Sequence, residues 1–308
     1  MIELKSDRIE VTDDITEIHH LFCKNGWSDG LPIIPPTKER VLRLINGTKQ
    51  KPDEVINLIP PRWAEATIEK IAVNSVMAGC LPEHIPVIIA AVTAITESKF
   101  NLYGIQATTH PCGPLLVING PIRKRLEINC GYGAFGPGTL ANAVIGRAIR
   151  LILMNIGGAI PGKMDKATLG QPGKYTYAIG ENEEKSPWES LSVERGFGPD
   201  ENTVTVMAAE GPHNATDHQS VSALGILTTI AGTLATQGSN NIRMQIGEPL
   251  VILGPEHAKT IAQEGLTKKN VKEILFQKGR IPKSAFSKEI HDAIELEKRG
   301  TPIFLKML

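Results

Sequence analysis

Apolar residues recur along the chain in two patterns, one typical of helices and one typical of buried strands. Ile15 to Lys24 and Lys38 to Ile45 carry apolar positions at helical spacing, and Thr37 is placed to cap the second helix. The same criteria predict seven further helices in the chain. These cover Ala64–Ala78, Glu83–Thr96, 139–155, Ser220–Thr236, Glu256–Glu264, Lys268–Gln277 and Ser284–Arg299.

Three short apolar runs are predicted to form strands, and each closes on Gly-Pro. They are Leu115–Ile118, Thr203–Ala209 and Pro249–Leu253. Glycine permits a sharp reversal and proline suits the first turn of a following helix. Their similarity predicts a duplicated unit, 61–160 and 200–280, whose strand ends face one crevice; chance similarity of apolar runs is the alternative. We therefore predict an α/β (or α+β) protein with an N-terminal arm over 1–60 and a main body over 61–308.

Composition narrows the class of protein. The chain has 308 residues, 41% of them hydrophobic, and 33 basic residues balance 33 acidic ones. Zero net charge disfavours a broad nucleic-acid surface. The apolar runs are too short for a membrane span or are broken, as by Arg147 and Arg150. The first residues are polar and acidic, unlike a signal peptide, so we predict a cytoplasmic protein. From its charge and its apolar runs we predict that it binds neither nucleic acid nor membrane.

The cysteines are widely spaced and include no CxxC pair, so we expect free thiols, each filling the role of a small buried hydrophobe. They are Cys23, Cys80, Cys112 and Cys130.

The segment from Glu210 to His218 concentrates groups that bind protons or metals where a strand ends and a helix is predicted to follow. If that helix starts near Asn214, His213 and Asp217 share one face. We predict an acid–base site here, with His213, Asp217 and His218 as ligands of a divalent metal in one version of it. The alternative is helix capping by Asn214 or Asp217 beside surface histidines.

A second candidate site precedes the first predicted strand, in Ala107–Pro114. Thr109, His110 and Cys112 place a hydroxyl, an imidazole and a thiol close together in sequence. An imidazolium beside the thiol would lower its pKa and make Cys112 a nucleophile, with His110 as a second base. A proline-flanked loop with an inert thiol is the alternative.

The glycine-rich segment Cys130–Thr139 contains the spacing GxGxxG but lacks both a strong preceding strand and an acidic residue about 20 positions later. We therefore expect neither a nicotinamide nor a flavin cofactor. Gly136 and Gly138 still offer backbone N–H groups to an anionic substrate at a helix N-terminus, and close helix packing is the alternative.

Further residues are expected to orient the substrate. For Trp27 and Asp29 the alternative is a clasp onto the main body, and for Asn240 and Asn241 it is a helix C-cap. The full set of expected substrate contacts is Trp27, Asp29, Thr109, Asn119, Gly136, Gly138, Asn214, Asn240 and Asn241.

Four segments carry a resemblance to a known group. They are Gly26–Thr37, Gly170–Tyr175, Ser186–Glu189 and the Glu-Gly-Pro-His-Asn stretch that begins at Glu210. The chain resembles bacterial proteins that carry a Gly-Trp-Ser/Thr-Asp-Gly-Leu-Pro signature and are associated with UGSC-motif selenoproteins. This resemblance favours thiol, redox or carbon–heteroatom chemistry. The absence of a paired cysteine disfavours a simple dithiol oxidoreductase.

Together these features predict a small-molecule enzyme of lyase or hydrolase type acting on a polar or anionic substrate. Glu210, His213, Asp217 and His218 would supply acid–base or metal chemistry. One alternative is a thiol or redox enzyme that depends on Cys112. The other is a non-catalytic partner subunit of a selenoprotein or thiol enzyme. We also expect a homo-oligomer, a homodimer in particular, and the long connection Pro161–Pro199 is typical of a lid or a subunit contact.

Overall fold

The structure, a computed structural model, describes residues 4–243 and 247–298. These residues divide into two compact units. The first comprises the described residues of Met1–Glu183 together with Ser190–Pro212, and the second comprises Glu184–Glu189 with those of His213–Leu308. Helices and two small sheets make this a mixed α/β protein, as predicted.

The first unit contains both sheets and most of the helices. Its helices are α1 Ile15–Lys24, α2 Lys38–Ile45, α3 Ile68–Ala78, α4 Ile85–Ile95, α5 Leu102–Ala107, α6 Ile122–Arg125, α7 Leu140–Asn155 and α8 Leu191–Glu194, with 3-10 turns at Pro82–His84, Ser98–Phe100 and Pro172–Lys174. Its strands are β1 Val55–Ile59, β2 Ala64–Thr67, β3 Gly113–Asn119, β4 Ala178–Gly180 and β5 Thr203–Ala209.

Local signals in the sequence account for the first helices. The Asp14 carboxylate accepts from two backbone N–H groups at the start of α1, and the Thr37 hydroxyl accepts from Arg40 N at the start of α2. Both helices have the predicted bounds. Helix α3 ends at Gly79, whose φ of 95° lies in the left-handed region that favours glycine.

The prediction of one helix over Ala64–Ala78 was wrong for its first residues. Ala64–Thr67 forms strand β2, which pairs antiparallel with β1, and the Thr67 side chain caps α3 through Lys70 N. The backbone of this segment therefore finds its hydrogen bonds in a hairpin rather than in an extra helical turn, a pairing that helical spacing cannot reveal.

The core of the first unit surrounds α3, α4 and α7. Helix α3 packs on α2 and α7, and α4 packs on β5 and α7. Apolar side chains of the predicted arm, such as Ile18, Val41 and Leu44, are buried in this same core. The structure therefore divides at other positions than the predicted boundary after residue 60, because the arm shares one hydrophobic core with α3, α4 and α7.

Strand β3 is the central strand of a sheet with the order β4-β3-β5. It pairs parallel with β4 and antiparallel with β5, in a register that sets Gly113 opposite Ala209 and Asn119 opposite Thr203. Residues Leu116 and Ile118 are fully buried, whereas β5 is only partly buried because it lies at the edge of the sheet.

The second unit is helical. Its helices are α9 Ala223–Leu234, α10 Asn240–Arg243, α11 Pro255–Gln263, α12 Lys268–Lys278 and α13 Lys288–Lys298, with a 3-10 turn at Lys283–Ala285. The predicted strand Pro249–Leu253 is wrong. Val251 and Leu253 pack against the apolar core that α9, α11 and α12 form, so helices rather than a strand partner cover this run. The predicted end of the tail, after Lys298, lies outside the described residues.

Within the described ranges, no single helix is both long and apolar enough to cross a membrane. The helices Pro82–Ile95 and Ser98–Ala107 meet that test only when taken together, and they are bent by 69°.

Candidate active site at the start of strand β3

The antiparallel pairing of β3 and β5 decides which candidate residues come together. The segment that precedes β3 lies at the same end of the sheet as the residue that follows β5, since Gly113 is opposite Ala209. His110, Cys112 and Glu210 therefore lie at one end of the paired strands. Asn119 lies at the other end, which corrects the prediction that all strand ends face a shared crevice.

The side chains of His110 and Glu210 contact each other at this end of the sheet. Their Nε2 and Oε1 atoms are 3.0 Å apart, and the side chains are 26% and 49% exposed. The Thr108 hydroxyl accepts from His110 N at 3.0 Å, and Tyr177 donates its hydroxyl proton to the Glu210 carbonyl at 2.7 Å. Because the carboxylate accepts at Nε2, the neutral imidazole is held as the Nε2–H tautomer, with its lone pair on Nδ1.

Cys112 is buried beside this pair. Burial raises the pKa of its thiol, and the nearby Lys174 ammonium opposes that rise only in part. An apolar environment disfavours the charged sulfur, which favours the alternative of an inert thiol. Catalysis by Cys112 stays a prediction.

A buried charged cluster adjoins Cys112. Asp165 binds Lys174 Nζ at 2.8 Å and Arg150 NH2 at 3.2 Å. Burial raises the pKa of Asp165, but the hydrogen bonds from Lys174 and Ala167 N and the two positive charges outweigh it, so the pKa lies below its ordinary value. Burial lowers the pKa of Arg150, which Asp165 offsets in part.

No pattern in the sequence pointed to Asp165 or Lys174 as site residues. The one available signal was Arg150, a charged residue in the apolar run that forms α7, because a buried cation needs a partner.

The opposite end of β3 carries a second polar cluster. Arg123 donates to Glu183 at 2.7 Å and to the Glu181 carbonyl at 2.7 Å. Asn119 Nδ2 donates to Glu181 at 2.6 Å and to Glu183 at 2.8 Å. Glu183 also accepts from Gly120 N, and Glu181 accepts from Leu191 N. Asn119 is fully buried in this cluster, where it fastens the residues after β4 to the sheet.

The loop that follows β5 is not helical. Residues 211–222 form no helix, and α9 begins at Ala223 with Ser222 as its N-cap. The predicted pairing of His213 and Asp217 on one helical face is therefore wrong. The Asp217 carboxylate instead accepts from Gln219 N, Ser220 N and the Thr229 hydroxyl.

His213 and His218 are exposed and belong, with Asp217, to the second unit, whereas Glu210 belongs to the first. The hydrogen bond from Thr229, followed by those from Ser220, holds the pKa of Asp217 below its ordinary value. Over residues 4–243 and 247–298, no group of three or more His, Cys, Asp or Glu side chains has an arrangement that could hold a metal ion. Metal binding here stays a prediction.

Trp27 and Asp29 lie in a segment that is clasped to α7. Both Asp29 oxygens accept from Arg147, at 2.8 Å each, and Arg147 also donates to the carbonyls of Leu31 and Pro32. Asn155 Nδ2 donates to the Trp27 carbonyl at 2.8 Å. These contacts account for both residues as parts of the clasp.

The glycine-rich segment is exposed and is held to α7 by amides. Asn142 accepts from Asn129 N at 2.8 Å and donates to Asn129 O at 3.0 Å. Gly136 and Gly138 are exposed, and Gly138 has a φ of 113°. A carboxylate-binding role for them stays a prediction.

The remaining predicted contacts lie in different places. Thr109 is exposed, and its carbonyl accepts from Thr168. Asn214 donates to the Thr216 hydroxyl in the loop after β5. Asn240 and Asn241 begin helix α10, so the alternative of a C-cap on the preceding helix is wrong. Their role in substrate binding stays a prediction.

All four cysteines are free, as expected for isolated thiols. Cys80 and Cys112 are buried and Cys130 is half-buried, but Cys23 is exposed on α1. Cys23 lies 3.6 Å from the His19 ring, one helical turn away, which differs from the buried role expected of it.

Comparison with known proteins gives no match: no family model, no curated protein and no solved structure matches this chain. The resemblance to proteins associated with UGSC-motif selenoproteins therefore stays a prediction.

Proposed function

We propose that this protein is a small-molecule enzyme of lyase or hydrolase type in which His110 is the general acid–base group and Glu210 orients it. The observation that carries the proposal is the 3.0 Å contact between His110 Nε2 and Glu210 Oε1, from segments far apart in sequence. A carboxylate that fixes the imidazole tautomer is a recurring arrangement in acid–base catalysis.

The chemistry depends on the tautomer. The imidazole takes a proton from a substrate carbon or from water, and the Glu210 carboxylate stabilises the imidazolium that results. The imidazolium then returns the proton to the leaving group. The partial exposure of both side chains supports this role, because a substrate must reach the imidazole.

A thiol mechanism at Cys112 has less support. The thiol is buried and its pKa is raised, so little thiolate is present near neutral pH. Cys112→Ser separates the two routes: turnover retained by this variant excludes the thiol as nucleophile. The free thiols are consistent with a reducing compartment, and we keep the cytoplasm and a homo-oligomer within the proposal.

The test compares variants on a mixture of small carboxylic, hydroxy and amino acids, with depletion of each compound followed by mass spectrometry. We expect His110→Ala to lower the rate of any compound that the wild type consumes by about 10²–10⁴-fold. His213→Ala and His218→Ala, which remove exposed histidines of the second unit, are the matched controls and should retain the wild-type rate.

Two outcomes would contradict the proposal. One is full turnover by His110→Ala. The other is loss of turnover in His213→Ala together with a stoichiometric metal that elemental analysis finds only in the wild type. Absence of turnover by the isolated chain, with co-purification of a second protein, would favour the non-catalytic partner subunit.

A further inference from the structure

The two outer edges of the sheet β4-β3-β5 differ. At the β4 edge, Gly180 N donates to the Asn129 carbonyl at 3.1 Å, so a segment of the same chain covers part of that edge. Strand β5 forms the other edge, and among the described strands it pairs only with β3. An unpaired edge is a template for a further strand, because it presents a row of backbone donors and acceptors.

Hydrogen bonds on the β4 side of β3 show which residues of β3 face β5. Leu116 N donates to the Tyr177 carbonyl at 2.9 Å, and the Ile118 carbonyl accepts from Glu181 N at 3.2 Å. Successive residues of a strand direct their N–H and C=O groups to opposite sides. The odd-numbered residues of β3, from Gly113 onwards, therefore bond with β5.

The backbone N–H and C=O groups of Val204, Val206 and Ala208 consequently point away from β3. The register sets the other residues of β5, Thr205 and Met207 among them, opposite the odd-numbered residues of β3, so those residues make the bonds between the two strands. No described residue forms a hydrogen bond with the outward groups. Ala208 is exposed and both valines are half-buried, so this edge is open to solvent.

Strand β5 has none of the features that commonly keep an open edge from pairing. Thr203–Ala209 contains no charged residue and no proline, and its pairing with β3 runs without a register shift. The strand is seven residues long, and four of its residues are the β-branched valine and threonine that favour strands. The edge is therefore suited to accept another strand.

We propose that β5 pairs antiparallel with β5 of a second copy of this chain, about a twofold axis at Val206. In this register Val206 lies opposite Val206 of the second copy, and Val204 lies opposite Ala208. Each outward N–H and C=O group then has a partner, and two three-stranded sheets become one continuous sheet of six strands.

A second copy fits this edge because the edge is complementary to itself. A twofold axis is the commonest symmetry of soluble oligomers. Since the strand carries no charge, apolar side chains meet across the axis and no like charges oppose each other within it. Beyond the strand, the same register sets Glu210 of one copy opposite Asn202 of the other, so a carboxylate meets an amide.

This inference rests on the homo-oligomer that the proposed function includes, and it assigns that oligomer an interface and a symmetry. It does not depend on catalysis by His110.

Sedimentation equilibrium of the full-length protein measures the assembly, and we expect a dimer. Ala208→Pro removes an outward N–H group without loss of a bond to β3, and its ring meets the backbone of the second copy. It should raise the Kd of the dimer by about a hundredfold, because each copy loses one hydrogen bond across the axis. Ala208→Ser keeps the N–H group at the same exposed position and is the matched control, so it should dimerise as the wild type does.

Hydrogen–deuterium exchange tests the same edge without dependence on one variant. Peptides that contain Val204, Val206 and Ala208 should exchange more slowly in the dimer than in the monomer, whether the monomer is obtained by dilution or by Ala208→Pro. Circular dichroism checks that the variant is folded. His110→Ala should remain a dimer, so a failure of the proposed catalysis and a failure of this interface appear in different measurements.

Three results would overturn the proposal. One is a wild-type protein that stays monomeric at the highest concentration measured, including a monomer whose β5 amides are already protected by another part of the chain. The second is a folded Ala208→Pro variant that dimerises as tightly as the wild type. The third is a dimer in which the β5 peptides exchange as fast as they do in the monomer.

Discussion

The two ends of strand β3 carry clusters of similar composition and opposite character. At the end after Asn119, Arg123 is 3% exposed and Glu183 is 19% exposed, and their polar atoms bind the neighbouring backbone. At the end before Gly113, His110 and Glu210 are partly exposed. The first arrangement fastens a loop, whereas the second keeps a titratable pair within reach of solvent and small molecules.

This difference in exposure indicates that the cluster of Arg123 and Glu183 stabilises the fold, whereas the pair of His110 and Glu210 is available for chemistry. A buried pair with many hydrogen bonds is costly to break, because removal of one partner leaves the other charged and buried. An exposed pair contributes little to stability. Mutations at the two ends should therefore separate stability from activity.

The largest loss of stability is expected at the end of β3 that follows Asn119. Arg123→Met should lower the free energy of unfolding by about 3–5 kcal/mol, because Glu183 and the Glu181 carbonyl lose a buried partner. Urea denaturation measures this loss. Arg125→Met, an exposed position on the same short helix, is the matched control and should change the free energy by no more than about 0.5 kcal/mol. Equal losses of unfolding free energy in Arg123→Met and Arg125→Met would contradict a stabilising role for the buried cluster.

A smaller loss, with a defined pH dependence, is expected at Asp165. Asp165→Asn should lower the free energy of unfolding at neutral pH by about 3 kcal/mol, the lower end for a buried pair, because the amide oxygen can still accept a hydrogen bond.

The pH dependence has a definite sign. The pKa of Asp165 is depressed in the folded protein, so its contribution is complete above the ordinary value of 3.8 and is lost as the pH falls through the folded pKa. Denaturation curves from pH 7 down to pH 3 should show the wild type and the variant converging in acid. A difference that grows as the pH falls would contradict this assignment.

The smallest effect on stability is expected at the exposed end. Glu210→Ala should lower the free energy of unfolding by less than about 1 kcal/mol. It should nevertheless lower the share of the Nε2–H tautomer of His110 to that of a free neutral imidazole, which nitrogen-15 NMR of labelled histidine detects. His84, whose Nδ1 accepts from Leu81 N at 3.1 Å, serves as the internal reference and should not change. An unchanged His110 tautomer would show that Glu210 does not orient the ring.

Local signals in the sequence determined much of the secondary structure. The bounds of α1 and α2 followed from apolar spacing and from the Thr37 cap, and β3 and β5 followed from continuous apolar runs. These features depend on residues within one or two turns of each other, so sequence alone predicts them. The candidate groups His110, Cys112 and Glu210 were identified in the same way, from residue type and position at strand ends.

Tertiary structure alone decided which of those groups meet. Because β5 runs antiparallel to β3, Glu210 lies beside His110 and Asn119 lies at the opposite end of the sheet. The relative direction of two strands depends on contacts between distant segments. The same limit explains the errors. Thr67 and Ser222, rather than earlier polar residues, begin helices, and the run Pro249–Leu253 is covered by helices instead of a partner strand. Apolar residues indicate that a segment is buried, but only long-range packing determines which helices or strands cover it.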